Sequence, residues 1–286
     1  MANGILIVDK PQDWTSHDVV AKLRGALHEK RIGHGGTLDP MATGVLPVFA
    51  GRATRAVEFF EAAEKEYEAI LRLGLTTNTD DITGEVLSEQ PAQISREALE
   101  AALKPFLGVQ EQLPPMYSAV KIVGKKLYEL ARAGKEVERT PRRIEIFALE
   151  LLSFDGQDAA LRVRCSKGTY IRTLCRDIGA ALGCGGTLAA LRRTQAGIYT
   201  LSDAHPLPQI LEDPAAFLLP TDSLFSELPA LTITSESERR CRNGNDFSLD
   251  VEAGRYRVYS EDGTFLMLGE AQDGIMHTLK SFFEVK

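Results

Sequence analysis

The chain has 286 residues, 44% of them hydrophobic and 26% charged, the make-up of a globular protein with room for one large domain and one small one. No apolar run approaches membrane-spanning length, and the N-terminus lacks a basic stretch followed by an apolar segment and a cleavage site, so a cytoplasmic protein without a membrane partner is expected. The formal net charge of −7 does not exclude a nucleic-acid partner, because Leu201 to Glu238 holds seven acidic residues, no Lys and no Arg, and so carries the whole excess.

Ile5-Leu6-Ile7-Val8 reads as a strand, and Thr15 with Asp18 makes a capping-box pattern ahead of a helix that buries Val19, Val20, Leu23 and Leu27. Val45 to Phe49 is a short apolar run of buried-strand length. Thr54 to Ala63 fits a helix with Val57, Phe60 and Ala63 inward, and Tyr67, Ala69, Leu71 and Leu73 alternate on one face of a strand. Ser95 starts a helix that Pro105 ends. Lys121 to Arg143 holds eight basic and three acidic residues, and Arg162 to Arg176 five basic and none acidic, so the two stretches could form one basic face. Ile144 to Phe154 and Leu161 to Cys165 read as strands, while Ile171, Leu174, Cys175, Ile178, Ala181 and Leu182 form a helical stripe. From Leu207 the chain turns acidic and Pro-rich, with Pro208, Pro214, Pro220 and Pro229, the pattern of a linker or a loosely packed connection. Beyond it, Arg255 to Glu270 predicts a hairpin around Glu261-Asp262-Gly263 within an all-β tail.

Cys165, Cys175, Cys184 and Cys241 lack Cys-x-x-Cys spacing, and with no export signal they read as reduced thiols. His17, His28, His34, His205 and His277 do not fall at metal-ligand spacing, and neither a phosphate-cradling Gly-x-x-x-x-Gly-Lys-Ser/Thr nor a dinucleotide Gly-x-Gly-x-x-Gly is present. The expectation is chemistry by side chains alone, with no metal and no cofactor.

One segment stands apart. In Gly33-His34-Gly35-Gly36-Thr37-Leu38-Asp39-Pro40-Met41-Ala42-Thr43-Gly44 a single carboxylate sits among residues with special backbone conformations. Pro40 pushes Asp39 toward an extended conformation, and the glycines permit φ > 0 and close approach of another molecule. Such a loop displays a side chain, although Asp-Pro also opens ordinary turns.

Gly36-Thr37-Leu38-Asp39-Pro40 with Ala42-Thr43-Gly44 resembles the catalytic loop of the TruB family of tRNA pseudouridine synthases. Gly4-Ile5-Leu6-Ile7-Val8-Asp9-Lys10-Pro11, Lys65-Glu66-Tyr67 and Ser166-Lys167-Gly168-Thr169-Tyr170-Ile171-Arg172 agree in order, and the likeness spans about the first 200 residues. It implies an α+β pseudouridine synthase fold over residues 1–222, a mixed and largely antiparallel sheet with flanking helices, with an RNA-gripping insertion near residues 115–143. A small all-β PUA-like domain over residues 229–286 completes it. The implied activity is isomerisation of uridine 55 in the tRNA T-loop, with base flipping, without cofactor, guide RNA or protein partner, by a monomer.

The resemblance makes Asp39 the catalytic aspartate, Tyr67 the aromatic platform for the flipped uracil and Arg172 the bridge to Asp39. It places Tyr170 and Leu191 along the pocket, inserts His34 into the RNA loop, and implicates Asp81 in RNA contact. Lys125, Lys126 and Lys135 then serve as a group for phosphate contact. Residue pattern alone reads Tyr67 and Leu191 as core, Arg172 as an exposed helix arginine and Asp81 as a solvated loop acid. Two other readings of the same features are a non-catalytic tRNA binder or folding chaperone and a guide-RNA-dependent relative of dyskerin.

Overall fold

A computed structural model of the chain describes residues 2–118, 121–122, 125–127, 130, 134 and 137–284. In chain order the elements begin with β1 (Gly4–Lys10), α1 (Ser16–Leu27), β2 (Ile32–His34), β3 (Thr43–Ala50), α2 (Val57–Glu61) and β4 (Lys65–Leu73). The hairpin β5 (Leu75–Thr77) and β6 (Val86–Glu89) follows, then α3 (Arg96–Leu103), β7 (Gly108–Gln112) and a short hairpin of β8 (Lys121–Ile122) and β9 (Lys125–Lys126). Next come β10 (Arg142–Phe154), β11 (Asp158–Cys165), α4 (Ile171–Ala181), β12 (Gly186–Ala196), β13 (Tyr199–Thr200), β14 (His205–Pro206) and α5 (Leu207–Glu212). The tail holds β15 (Ala230–Thr232), α6 (Ser235–Arg242), β16 (Phe247–Ser248), β17 (Gly254–Tyr259), β18 (Phe265–Gln272) and β19 (Ile275–Ser281).

Among the described residues the main sheet runs β14-β1-β3-β12-β4-β11-β10-β7, with β13 on β12 and β2 on β3. Its pairs are antiparallel except β1 with β14 and β3 with β12. β4 lies between β11 and β12, so Tyr67, Ala69, Leu71 and Leu73, alternating along it, are all buried. α4 covers β12 and β4 with Ile171, Leu174, Cys175 and Ile178, of which the isoleucines and the leucine are each worth roughly 1.5–3 kcal/mol of apolar burial. Ala181, placed by periodicity on the same stripe, is exposed at the last turn. The start of α1 is fixed by the expected capping box: Thr15 Oγ1 accepts from Asp18 N at 3.0 Å, and the Asp18 carboxylate accepts from Thr15 N at 2.8 Å. The helix expected over Thr54 to Ala63 is instead a 3₁₀ turn, Gly51–Ala56, running into α2, with Phe60 as its buried anchor.

Two further features depart from the sequence reading. Residues 207–228 are packed rather than loose: Leu207 and Ile210 enter the main core, Leu219 exchanges both backbone hydrogen bonds with Ile5 at 2.8 Å, and Phe225 is buried. The prolines break this segment into short elements without removing its apolar anchors. The tail sheet, β15-β17-β18-β19-β16, also carries a helix, α6, that buries only Cys241. With charged residues around most of its surface, α6 has no apolar stripe to announce it. Phe265, Leu268 and Phe282 of the tail share a core with Ile5, Phe49 and Phe225 of the main body, and Tyr259 donates to Asp222 at 2.6 Å across the junction. The four cysteines are buried free thiols.

Candidate active site

The loop after β2 is pinned from two sides. Ser16, in the first turn of α1, accepts from Leu38 N at 2.9 Å and donates to Leu38 O at 3.2 Å. Asp13 N and the fully buried Lys10 Nζ both donate to Pro40 O, at 2.8 and 3.2 Å. Gly36 and Gly44 have φ of +125° and +100°, and a Cβ at Gly44 would lie 2.2 Å from Arg193 O, so β3 can meet β12 this closely only through glycine. Between these anchors Asp39 turns its carboxylate into a cavity of about 690 Å³, with 36% of the side chain exposed there.

Arg172, on the first turn of α4, is 5% exposed and joins four segments. Its Nε pairs with Asp39 Oδ2 at 2.9 Å and its Nη1 with Asp81 Oδ2 at 3.5 Å, while Nη1 donates to Thr79 O at 3.0 Å and Nη2 to Tyr117 O at 2.8 Å. A guanidinium fits this task because its donors lie in a fixed planar fork. The start of α4 is set by Gln112 at the end of β7, which accepts from Tyr170 N at 2.8 Å and donates to Tyr170 O at 3.0 Å. Burial pushes the Asp39 carboxyl above its ordinary value; the Arg172 charge pulls the other way and Asp81 adds to the rise.

Tyr67 lies on the cavity wall at 8% exposure, and burial raises its phenol while the Arg193 guanidinium opposes the rise. The phenol stays protonated at neutral pH. Arg193 is itself 1% exposed, donating from Nε to Val45 O at 2.7 Å and from Nη2 to Gly36 O at 3.2 Å. Leu191 and Tyr170 line the same cavity. His34 does too; its Nδ1 accepts from Gly36 N at 3.3 Å, and burial, with His17 and Arg193 nearby, pulls its pKa down to about 4. The imidazole is therefore neutral near pH 7, with its proton on Nε2.

Six residues singled out from sequence thus line one cavity: His34, Asp39, Tyr67, Tyr170, Arg172 and Leu191. Asp81 is not placed to contact RNA. It is 5% exposed, and its Oδ1 accepts from Thr79 Oγ1, Thr83 N and Thr83 Oγ1 at 2.6–3.0 Å, so the carboxylate supports Arg172 from behind. Lys125 and Lys126 form β9, but their side chains, and all of Lys135, lie outside the described residues. Of the two basic stretches, Arg142 and Arg143 from one and Lys167 and Arg172 from the other line the cavity together, while Arg162, Arg164 and Arg176 are paired with local carboxylates. Among the described residues, the exposed cations that line the cavity without an ion-pair partner are Arg142, Arg143 and Lys167, while Lys65 and Arg193 are buried in its wall.

A family model described as the TruB family pseudouridylate synthase N-terminal domain matches residues 24–171, and one described as the tRNA pseudouridylate synthase B C-terminal domain matches residues 172–226. The chain belongs to the TruB family of pseudouridine synthases. It is 46% identical to the tRNA pseudouridine synthase B of Chromobacterium violaceum, over 97% of this chain and 94% of that protein. It is 45% identical to the enzyme of the same name from Synechococcus elongatus, over 96% of each. Among solved structures, a chain of a Cbf5-Nop10-Gar1 complex matches with a TM-score of 0.73 and 26% identity, covering 99% of this chain and 85% of that one. A chain of an H/ACA RNP bound to a substrate RNA containing 2′-deoxyuridine has the same TM-score at 24% identity, covering 99% and 86%. The latter likeness shows a common fold.

Arg193 and Ser118 were not marked from sequence. For Arg193 the signal was present: on β12 it falls two residues after Leu191 and so on the same face. A charged residue in a strand reads as solvent-facing, which hid it. Ser118 follows Pro114-Pro115-Met116-Tyr117 in a segment without periodicity.

Proposed function

We propose that this protein isomerises uridine 55 in the T-loop of tRNA to pseudouridine, acting in the cytoplasm as a monomer without guide RNA or partner protein. The observation that carries the reading is one partly exposed carboxylate, Asp39, held by a buried guanidinium at 2.9 Å beside the buried phenol of Tyr67. Relatives at about 45% identity over 96–97% of the chain, named tRNA pseudouridine synthase B, support tRNA as the substrate class.

The reaction breaks the bond from N1 to C1′, turns the uracil and joins C5 to C1′, and the proton lost from C5 is balanced by one gained at N1. No redox change or energy source is needed. Asp39 acts at C1′ either by attack or by stabilising an oxocarbenium-like carbon, and both roles require it ionised, which the Arg172 pair favours. The Tyr67 ring provides a stacking surface for a base removed from its helix, and its protonated hydroxyl is available for proton transfer. His34, neutral and at the cavity, fills the space left in the RNA loop, while Arg142, Arg143 and Lys167 hold phosphates at the rim together with Lys125, Lys126 and Lys135.

The test is conversion of a T-stem-loop transcript by the purified protein alone, read as pseudouridine in hydrolysed RNA. Asp39→Asn, which keeps shape but removes charge and nucleophilicity, is expected to abolish conversion while leaving RNA affinity within a few fold. Tight binding by the wild type without conversion would favour the chaperone reading.

A further inference from the structure

Ser118 lines the catalytic cavity, is 5% exposed, and among the described residues its Oγ makes no hydrogen bond. A buried hydroxyl without a partner destabilises the fold, and alanine at the same place would avoid that cost. The backbone beside it is nonetheless fixed: the carbonyl of Tyr117 accepts from Arg172 Nη2 at 2.8 Å. The arginine that orients Asp39 therefore also positions this residue at the cavity wall, where its hydroxyl is buried with its hydrogen-bonding capacity unused.

We propose that Ser118 Oγ hydrogen-bonds the polar edge of the target uracil, making Ser118 a base-recognising residue. This rests on the reading of the protein as a uridine isomerase. The chemistry of the neighbours selects the base over other parts of the nucleotide. Asp39 serves C1′, and the exposed cations Arg142, Arg143 and Lys167 serve phosphates at the rim. A neutral hydroxyl matches a neutral carbonyl. The uracil must also turn about its axis through N3 and C6 to exchange N1 for C5, which brings O4 to where O2 stood. A hydroxyl donating to that place meets an acceptor both before and after the turn, whereas cytosine would present an amino group after it.

The experiment compares wild type and Ser118→Ala on two T-stem-loop RNAs, one with uridine at the target and one abasic there, together with thermal melting of the free protein. Because the hydroxyl has no internal partner, Ser118→Ala is expected to melt at or above the wild-type temperature. It should convert the uridine substrate about tenfold more slowly in single turnover, or bind it about tenfold more weakly, and bind the abasic RNA as wild type does. Equal conversion and binding of the uridine RNA overturns the proposal. So does a fall in melting temperature that accompanies the loss, which marks a structural hydroxyl, or an equal loss on abasic RNA, which marks a backbone contact. A wild-type protein that leaves uridine unconverted overturns the functional reading, and the base contact with it.

Discussion

Replacing Arg172 by methionine, similar in length but uncharged, tests whether one side chain sets both the charge state and the placement of Asp39. The guanidinium is 5% exposed, and it pairs with an Asp81 side chain 8% exposed and an Asp39 side chain 36% exposed. Removing one member of a buried ion pair costs about 3–5 kcal/mol. Asp39 remains partly open to the cavity and Asp81 keeps its donors from Thr79 and Thr83, so the lower end, about 3 kcal/mol, is expected here. That corresponds to a melting temperature lower by roughly 6–12 °C in a chain of this size. Conversion should fall at least about a hundredfold, since Asp39 loses the contact that aims it. The pH dependence is the sharper readout. Catalysis requires ionised Asp39 and disappears as pH falls through its pKa, which burial already holds above the ordinary carboxylate value. Arg172 is the largest influence opposing that rise, so its removal should move the acid limb of the rate profile to higher pH, whereas Asp81→Asn, by removing a like charge, should move it lower. Single-turnover rates from about pH 5 to 8 measure both shifts. An acid limb unmoved in a folded Arg172→Met protein refutes the electrostatic role.

Tyr67→Phe should bind RNA normally but react slowly, because only the hydroxyl is lost, while Tyr67→Ala should also weaken binding by roughly 1–3 kcal/mol through the lost stacking surface; equal rates for the phenylalanine variant and wild type would leave stacking as the whole role. Gly44→Ala should yield destabilised or insoluble protein, since its Cβ would sit 2.2 Å from Arg193 O at a φ of +100°; wild-type melting would show that β3 and β12 can separate without cost. Neutralising Arg142, Arg143 and Lys167 together should weaken all tRNAs about equally and flatten the salt dependence by roughly 0.7–0.9 in log–log slope per lost phosphate contact, measured by filter binding over a salt series.

What the sequence disclosed follows from how local each signal is. The capping box at Thr15 and Asp18, the alternation through β4 and the stripe on α4 are patterns within one element, and each appears where its period places it except at the last turn of α4, where Ala181 is exposed. Asp39 could be singled out because the glycines and proline around it restrict backbone shape. Long-range features were hidden. The burial of Asp81 depends on α4 arriving from 91 positions later to set Arg172 against it, and that of Arg193 depends on β12 lying against β3. Residues 207–228 looked loose because their anchors, Leu207, Ile210, Leu219 and Phe225, lie too far apart to form a period, yet each finds a place in cores built by other segments.

The apolar cluster joining Phe49 and Ile5 to Phe225, Leu268 and Phe282 has a consequence for how the molecule comes apart. The tail cannot leave without uncovering β1 and β3, the two strands whose ends carry Lys10 and Thr43-Gly44, on either side of the Asp39 loop. Loss of the tail therefore reaches the reaction centre through the sheet itself, and chain shortening and heat should act on catalysis and on melting as one cooperative event.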